Sequence, residues 1–128
     1  MHFLSAMIDG IGVDVLDLKR LERILKQWGN IFHEKILTEK EIAYCLSKQN
    51  SAQHIAARFA AKEAIAKSFS FGWRGVFRWK DIEIINDESG KPHVFLANKL
   101  QNLLADRKIH LSLSHSETTV IAFAVIEK

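Results

Sequence analysis

The chain has a single cysteine, Cys45, so it can form no internal disulfide. That fits a reducing compartment, and a cytoplasmic location is the expectation. No stretch approaches the ~20 consecutive apolar residues that a bilayer-crossing helix needs. The longest such run, VIAFAVI at 120–126, is strand-sized. The opening MHFLSAMIDGIG lacks a basic leader and a long apolar core, so neither a signal peptide nor a membrane span is expected. A Walker A loop and a GxGxxG fingerprint are missing, which argues against the common nucleotide folds. No GxSxG elbow is found, nor an acid spaced to suggest a serine triad. His2, His33, His54, His93 and His110 do not fall at zinc-ligand spacing, and one cysteine cannot build a thiolate cluster.

What is present is enough apolar material, 48% of 128 residues, to bury one ordinary core but not two. A single domain over residues 1–128 is expected. The formal net charge of +3 favours an acidic partner without choosing among nucleic acid, a membrane surface and an acidic protein.

Residues 7–16, MIDGIGVDVL, alternate as a strand: Ile11, Val13 and Val15 share one face, Gly10, Gly12 and Asp14 the other. The second face is bare backbone ending in a carboxylate. DLKRLERILKQWGN reads as a helix with Asp17 at its N-cap and Gly29 at its end; Leu18, Leu21, Leu25 and Trp28 form its packed side, Lys19, Arg23 and Lys26 the other. TEKE at 38–41 is a capping box opening a short helix. Ser51 is positioned to cap a long helix from about residue 52 to 68. A glycine-punctuated loop, SFGWRG, leads to FRWKDIEII as a strand, DESGKP as a turn and HVFL as its hairpin partner. A helix through Leu100, Leu103 and Leu104 precedes two final strands, HLSLSHS and TTVIAFAVIE, read as antiparallel neighbours.

The long helix carries RFAAKEAIAK, where Ala56, Phe59, Ala60, Ala66 and Lys67 all fall within about 60° of Glu63 at 100° per residue. An acid on a packed face needs a partner. Spacing permits an ion pair with Lys67 one turn on or a ligand role toward a cation, and the small residues around it suit close approach by a backbone or ligand. Asp14 poses the same choice between capping the next helix and holding a metal, with Asp17 better placed to cap. Arg58, Lys62, Lys67 and Arg74 add cations, Lys62 being read as part of a solvated surface. Ser114 and His115 could offer a hydroxyl and an imidazole to phosphate, or simply end a strand.

Taken together, IGVDVLDLKRLE at 11–22, KILTEKE at 35–41, RFAAKEAIAKSF at 58–69, DIEIINDESGKPHV at 81–94 and HLSLSHS at 110–116 resemble the holo-acyl-carrier-protein synthase family. The resemblance runs from Met7 to the chain's end, which makes residues 1–6 an expected extension or alternative start. It implies an α+β fold, a small, mostly antiparallel sheet packed with a long central helix, assembled as a homotrimer with sites between subunits. The implied activity is Mg²⁺-dependent transfer of 4′-phosphopantetheine from coenzyme A to a serine of apo-acyl carrier protein, for fatty acid biosynthesis. Asp14 and Glu63 then match the family's magnesium ligands. Lys67 and His115 are catalytic or phosphate-contacting positions, joined by Arg58, Ser114, Lys91 and Pro92 around coenzyme A. The proton acceptor is left among Glu63, His115 and a metal-bound water, the water being favoured. Arg20 matches the family's carrier-contacting arginine, with Lys19, Arg23 and Lys26 steering an acidic carrier. Trp73 and Arg74 depart from the family's more regular glycine-rich loop. A nucleic-acid module is disfavoured because Trp28, Phe59 and Phe123 are expected on apolar faces. A magnesium-dependent phosphohydrolase, with water as acceptor, is a further alternative.

Overall fold

The computed structural model describes residues 7–69 and 78–128. In chain order the elements are β1 (Ile8–Asp17), α1 (Leu18–Ile36), α2 (Glu39–Leu46), α3 (Ser51–Lys67), a 3₁₀ turn (Trp79–Asp81), β2 (Ile82–Asn86), β3 (Pro92–Leu96), α4 (Asn98–Leu103), β4 (Lys108–His115) and β5 (Thr119–Glu127). The strands make two antiparallel sheets, β1-β5-β4 and the hairpin β2-β3, where one sheet was expected. The mixed α and β character and the antiparallel pairing of the last two strands agree with the sequence reading. Among the described residues no helix is long and apolar enough to cross a membrane.

Helix α3 is the element on which both sheets converge, touching β1, β5, β2, α1 and α2. It is buried almost all round: Ile55, Ala56, Ala60, Ala61, Ala64, Ile65 and Ala66 are all within the core. Such a helix shows no single apolar stripe, because every side has something to pack against. Its alanines permit a close backbone approach by β1. A Cβ on Gly10 would collide with the Ser68 carbonyl oxygen, and one on Gly12 with that of Ala64. The glycine face of β1 therefore lies directly on α3, and Asp14, next on that face, is delivered to the helix surface.

Several expectations are corrected. Helix α1 does not stop at Gly29 but continues to Ile36, ending at a Leu37 C-cap. Its core-facing series Leu21, Leu25, Phe32 and Ile36 continues past the glycine, and a helical glycine costs only about 1 kcal/mol relative to alanine. Trp28 is half exposed rather than packed. Ser51 is the first residue of α3, not its cap; Asn50 occupies the cap position without a side-chain capping bond, its Nδ2 donating instead to Gln53 Oε1 at 2.9 Å. The segment expected as strand from residue 77 enters β2 only at Ile82, because Trp79–Asp81 form a 3₁₀ turn closed by Asp81 Oδ2 accepting from Arg78 N at 3.0 Å. Phe77, Trp73 and Arg74 lie outside the described residues, as do residues 1–6.

The capping box is present: Thr38 N donates to Glu41 Oε1 at 2.9 Å and Glu41 N to Thr38 Oγ1 at 3.3 Å. Glu41 does more than cap. It is fully buried and pairs with Lys62 Nζ at 2.6 Å, while its Oε2 accepts from Ile84 N at 2.9 Å. Lys62 also donates to the carbonyls of Ile36 (2.7 Å) and Trp79 (3.2 Å). The expected solvated lysine is thus an internal bolt joining α1, α2, α3, the 3₁₀ turn and β2.

Candidate active site

The ionic contact that organises the site crosses from α3 to β1. Lys67 Nζ donates to Asp14 Oδ1 at 3.0 Å and to the Val13 carbonyl at 3.1 Å. Asp17, three residues on, accepts from Lys19 N at 2.9 Å and caps α1, which frees Asp14 from that duty. Glu63 lies one turn before Lys67 on the same helix face. Burial first, and then the Asp14 charge, push the Glu63 carboxyl above the ordinary carboxylate range; Lys67 and Arg20 offset this only in part. A Glu63 carboxylate close enough to feel the Asp14 charge, with two cations at its edge, forms a site that gains from additional positive charge.

Arg58 belongs to a second cluster. Five residues before Glu63, it is rotated by about 140° around α3 and is 2% exposed. Its guanidinium carbon lies 4.3 Å from the centre of the Tyr44 ring, and Nη2 donates to Asn86 Oδ1 at 2.7 Å. Its Nε is buried with no hydrogen-bond partner among the described residues. His54 packs edge-on against Tyr44 at 5.6 Å. Its pKa is lowered by burial and then by the charges of Arg58, Lys48 and His115, so His115 at the end of β4 belongs to this neighbourhood. The cluster is cationic, and Arg58 is absent from the described ion pairs.

The turn bearing Lys91 and Pro92 adjoins it. Asp87 Oδ1 accepts from Ser89 N, Ser89 Oγ and Lys91 N, and His93 Nε2 lies 2.9 Å from Asp87 Oδ2. These bonds, led by the one from Ser89, hold Asp87 well below the usual carboxylate range. Gly90 adopts φ +90°, a conformation that favours glycine. Lys91 and Pro92 line one end of a cavity between β3 and β4 that also includes Phe95, Ile109 and His110.

Ser114 is not brought to His115 on one face. Neighbours along a strand point to opposite sides. Leu111 and Leu113 pack toward the core, whereas Ser114 pairs across from Ile121 and is exposed with it. That outer face is apolar along β1 and β5: Ile11, Val13, Val15, Ile121 and Phe123 are each between 42% and 62% exposed. The expected burial of aromatics therefore holds for Phe59, which packs edge-on with Phe32 and Trp79, and not for Trp28 or Phe123.

On α1, Lys19, Arg23 and Lys26 line an open groove with Leu25, Ala52 and one acid, Glu22. The charge of Arg20 reaches the Glu63 carboxyl. Cys45 is fully buried and its thiol is pushed up to about 11, chiefly by burial, which makes it chemically inert. Tyr44, His54, Asn86 and the Glu41–Lys62 pair carried no recognisable signal in the sequence, since each draws its meaning from a partner distant along the chain.

A family model described as the 4′-phosphopantetheinyl transferase superfamily matches residues 10–124. A curated holo-[acyl-carrier-protein] synthase from Geotalea daltonii is 42% identical over 125 residues, spanning 95% of this chain and 100% of its own. Among solved structures, the holo-[acyl-carrier-protein] synthase from Neisseria meningitidis aligns with a TM-score of 0.88 at 40% identity, covering 95% of this chain and 100% of that one. The one from Bacillus anthracis, in complex with CoA (3′,5′-ADP), aligns with a TM-score of 0.80 at 35% identity, covering 95% and 98%.

Proposed function

Since the chain belongs to the 4′-phosphopantetheinyl transferase superfamily, we propose that it transfers the 4′-phosphopantetheine arm of coenzyme A to a serine of apo-acyl carrier protein, releasing adenosine 3′,5′-bisphosphate. The observation that carries this reading is the meeting of Asp14 and Glu63 where β1 lies on α3, bordered by Lys67 and Arg20. The setting is fatty acid biosynthesis in the cytoplasm, with residues 7–128 acting as one transferase unit.

Asp14 and Glu63 suit a hard divalent cation. The donors are carboxylate oxygens, and two of them leave room for water and phosphate oxygens, as Mg²⁺ requires. The raised Glu63 carboxyl is what a cation between the two acids would relieve. When bound, Mg²⁺ would supply charge neutralisation on the pyrophosphate.

The chain's own residues supply the rest. Lys67, half exposed and donating to Asp14 and the Val13 carbonyl, keeps a third N–H for phosphate oxygens. Arg58, buried and without an acidic partner among the described residues, and His115, whose charge reaches the same His54, form a second anion site, and Lys91 with Pro92 closes over the nucleotide end. With the donor so fixed, the carrier serine oxygen bonds to the β-phosphorus, the bond from that phosphorus to the bridging oxygen breaks, and the serine proton passes to site water. The groove of Lys19, Arg23 and Lys26, with Arg20 at its catalytic edge, offers an acidic carrier helix a complementary surface.

We read the working assembly as a homotrimer. The outer face of β1 and β5 sets Ile11, Val13, Val15, Ile121 and Phe123 side by side in the open, and Ser114 faces the same way, which supports a site shared with a neighbouring subunit.

The test is mass spectrometry of apo-acyl carrier protein incubated with coenzyme A and Mg²⁺. Addition of the phosphopantetheine mass supports the reading; hydrolysis of coenzyme A without carrier modification would replace it with a phosphohydrolase.

A further inference from the structure

We propose that Asn86 is a positioning residue of the coenzyme A site, whose carboxamide locks the Arg58 guanidinium to the Gly90–Lys91–Pro92 turn so that both meet the donor at a fixed separation. This deepens the proposed function and rests on its reading of Arg58 and Lys91 as donor contacts.

Asn86 closes β2 and faces Pro92 across the hairpin ladder. Its Oδ1 accepts from Arg58 Nη2 at 2.7 Å, and its Nδ2 donates to the Gly90 carbonyl at 2.9 Å. The two partners fix the amide's orientation, because a guanidinium can only donate and a carbonyl can only accept. One side chain thus ties the central helix to a turn that Asp87 already holds rigid. Tyr44 bears on the face of the same guanidinium. Between them, Tyr44 and Asn86 fix its plane and its edge while leaving Nε buried and without a partner among the described residues.

The chemistry of residue 86 matters as much as its position. A buried arginine is normally neutralised by a carboxylate, and breaking that pairing is costly. Here the partner is a neutral amide, which orients the cation without cancelling its charge and so leaves it for an incoming anion. An aspartate would keep the shape and the acceptor, lose the donor to Gly90, and neutralise Arg58. An alanine would release both partners.

Calorimetric titration of coenzyme A and steady-state kinetics on the full-length protein test this with Asn86→Ala, Asn86→Asp, Arg58→Ala and the double variant Arg58→Ala/Asn86→Ala. Asn86→Ala is expected to weaken coenzyme A binding about tenfold (about 1.4 kcal/mol), with kcat at saturating donor within about twofold and the carrier KM unmoved. Asn86→Asp, which keeps the fold even if the alanine variant does not, is expected to weaken binding at least as much. The double variant is expected to bind no worse than Arg58→Ala alone, because Asn86 acts through Arg58. Wild-type affinity in Asn86→Asp, or full additivity in the double variant, would overturn the inference. Should Arg58→Ala itself bind coenzyme A normally, the assignment of Arg58 falls first and this inference with it. Weak binding by Arg58→Ala beside normal binding by both Asn86 variants removes only the inference.

Discussion

Lys67 and Asp14, 53 positions apart, are joined at 3.0 Å, so the ammonium that helical spacing would pair with Glu63 is committed instead to the strand. Glu63 is left with a raised carboxyl pKa and an acidic neighbour. That relationship ties the fold's stability to the proposed activity, because the ionised Glu63 that a cation site with Asp14 would use is one that folding disfavours.

Glu63→Gln should therefore stabilise the protein while removing transfer. A carboxyl whose folded pKa lies above its unfolded value binds protons more readily in the native state, so native stability declines as pH rises from about 4.5 through the folded value. The glutamine variant lacks this loss. Thermal melts from pH 4 to 8 should give midpoints that converge at the acidic end and separate toward neutral pH, the glutamine variant melting higher. A variant that melts lower at pH 8 contradicts the placement of Glu63.

The contact between β1 and α3 gives a paired expectation at two glycines. Gly12→Ala forces a methyl onto the Ala64 carbonyl and should cost about 1–3 kcal/mol or more. Gly29→Ala, in open space within α1, should stabilise by about 0.5–1 kcal/mol. Urea denaturation of both variants reads the two signs directly.

Breaking the buried Glu41–Lys62 pair from one side leaves an uncompensated charge, so Lys62→Met should cost about 3–5 kcal/mol. Glu41→Gln/Lys62→Met should cost clearly less than the two single changes summed, because the double variant leaves no charge buried. Chemical denaturation of the full cycle measures it.

Parts of this architecture were legible in the sequence because their causes are local. The Thr38–Glu41 capping box, the Asp17 cap and the alternation that puts Gly10, Gly12 and Asp14 on one face all follow from spacings of two or three residues. The resemblance then placed Asp14 and Glu63 together, a relation no local pattern supplies. The burial of Lys62 was not legible, since its partners Glu41, Ile36 and Trp79 lie 17 to 26 positions away. Continuation of α1 through Gly29 was missed because tertiary packing of Phe32 and Ile36 outweighs one unfavourable residue. The division of the cations between two sides of α3 follows from the all-round burial of that helix, which a search for a single stripe does not reveal.

Reversing charge in the α1 groove should affect the carrier and not the donor. Arg23→Glu is expected to raise the carrier KM about tenfold or more at low salt, with coenzyme A affinity unchanged, and the difference from wild type should shrink as ionic strength rises. Kinetics at two salt concentrations separate this from damage to the fold, which would move both substrates together.

The most direct measurement is Mg²⁺-dependent transfer by Asp14→Ala and Glu63→Ala, read alongside the rise in melting temperature that Mg²⁺ and coenzyme A together give the unaltered protein. Both variants should remain folded, lose at least about 10²-fold in rate, a deficit of about 2.7 kcal/mol in barrier terms, and show no Mg²⁺-dependent rise. Full Mg²⁺-dependent activity with an undiminished thermal shift in both variants would contradict the joint role given to these two carboxylates.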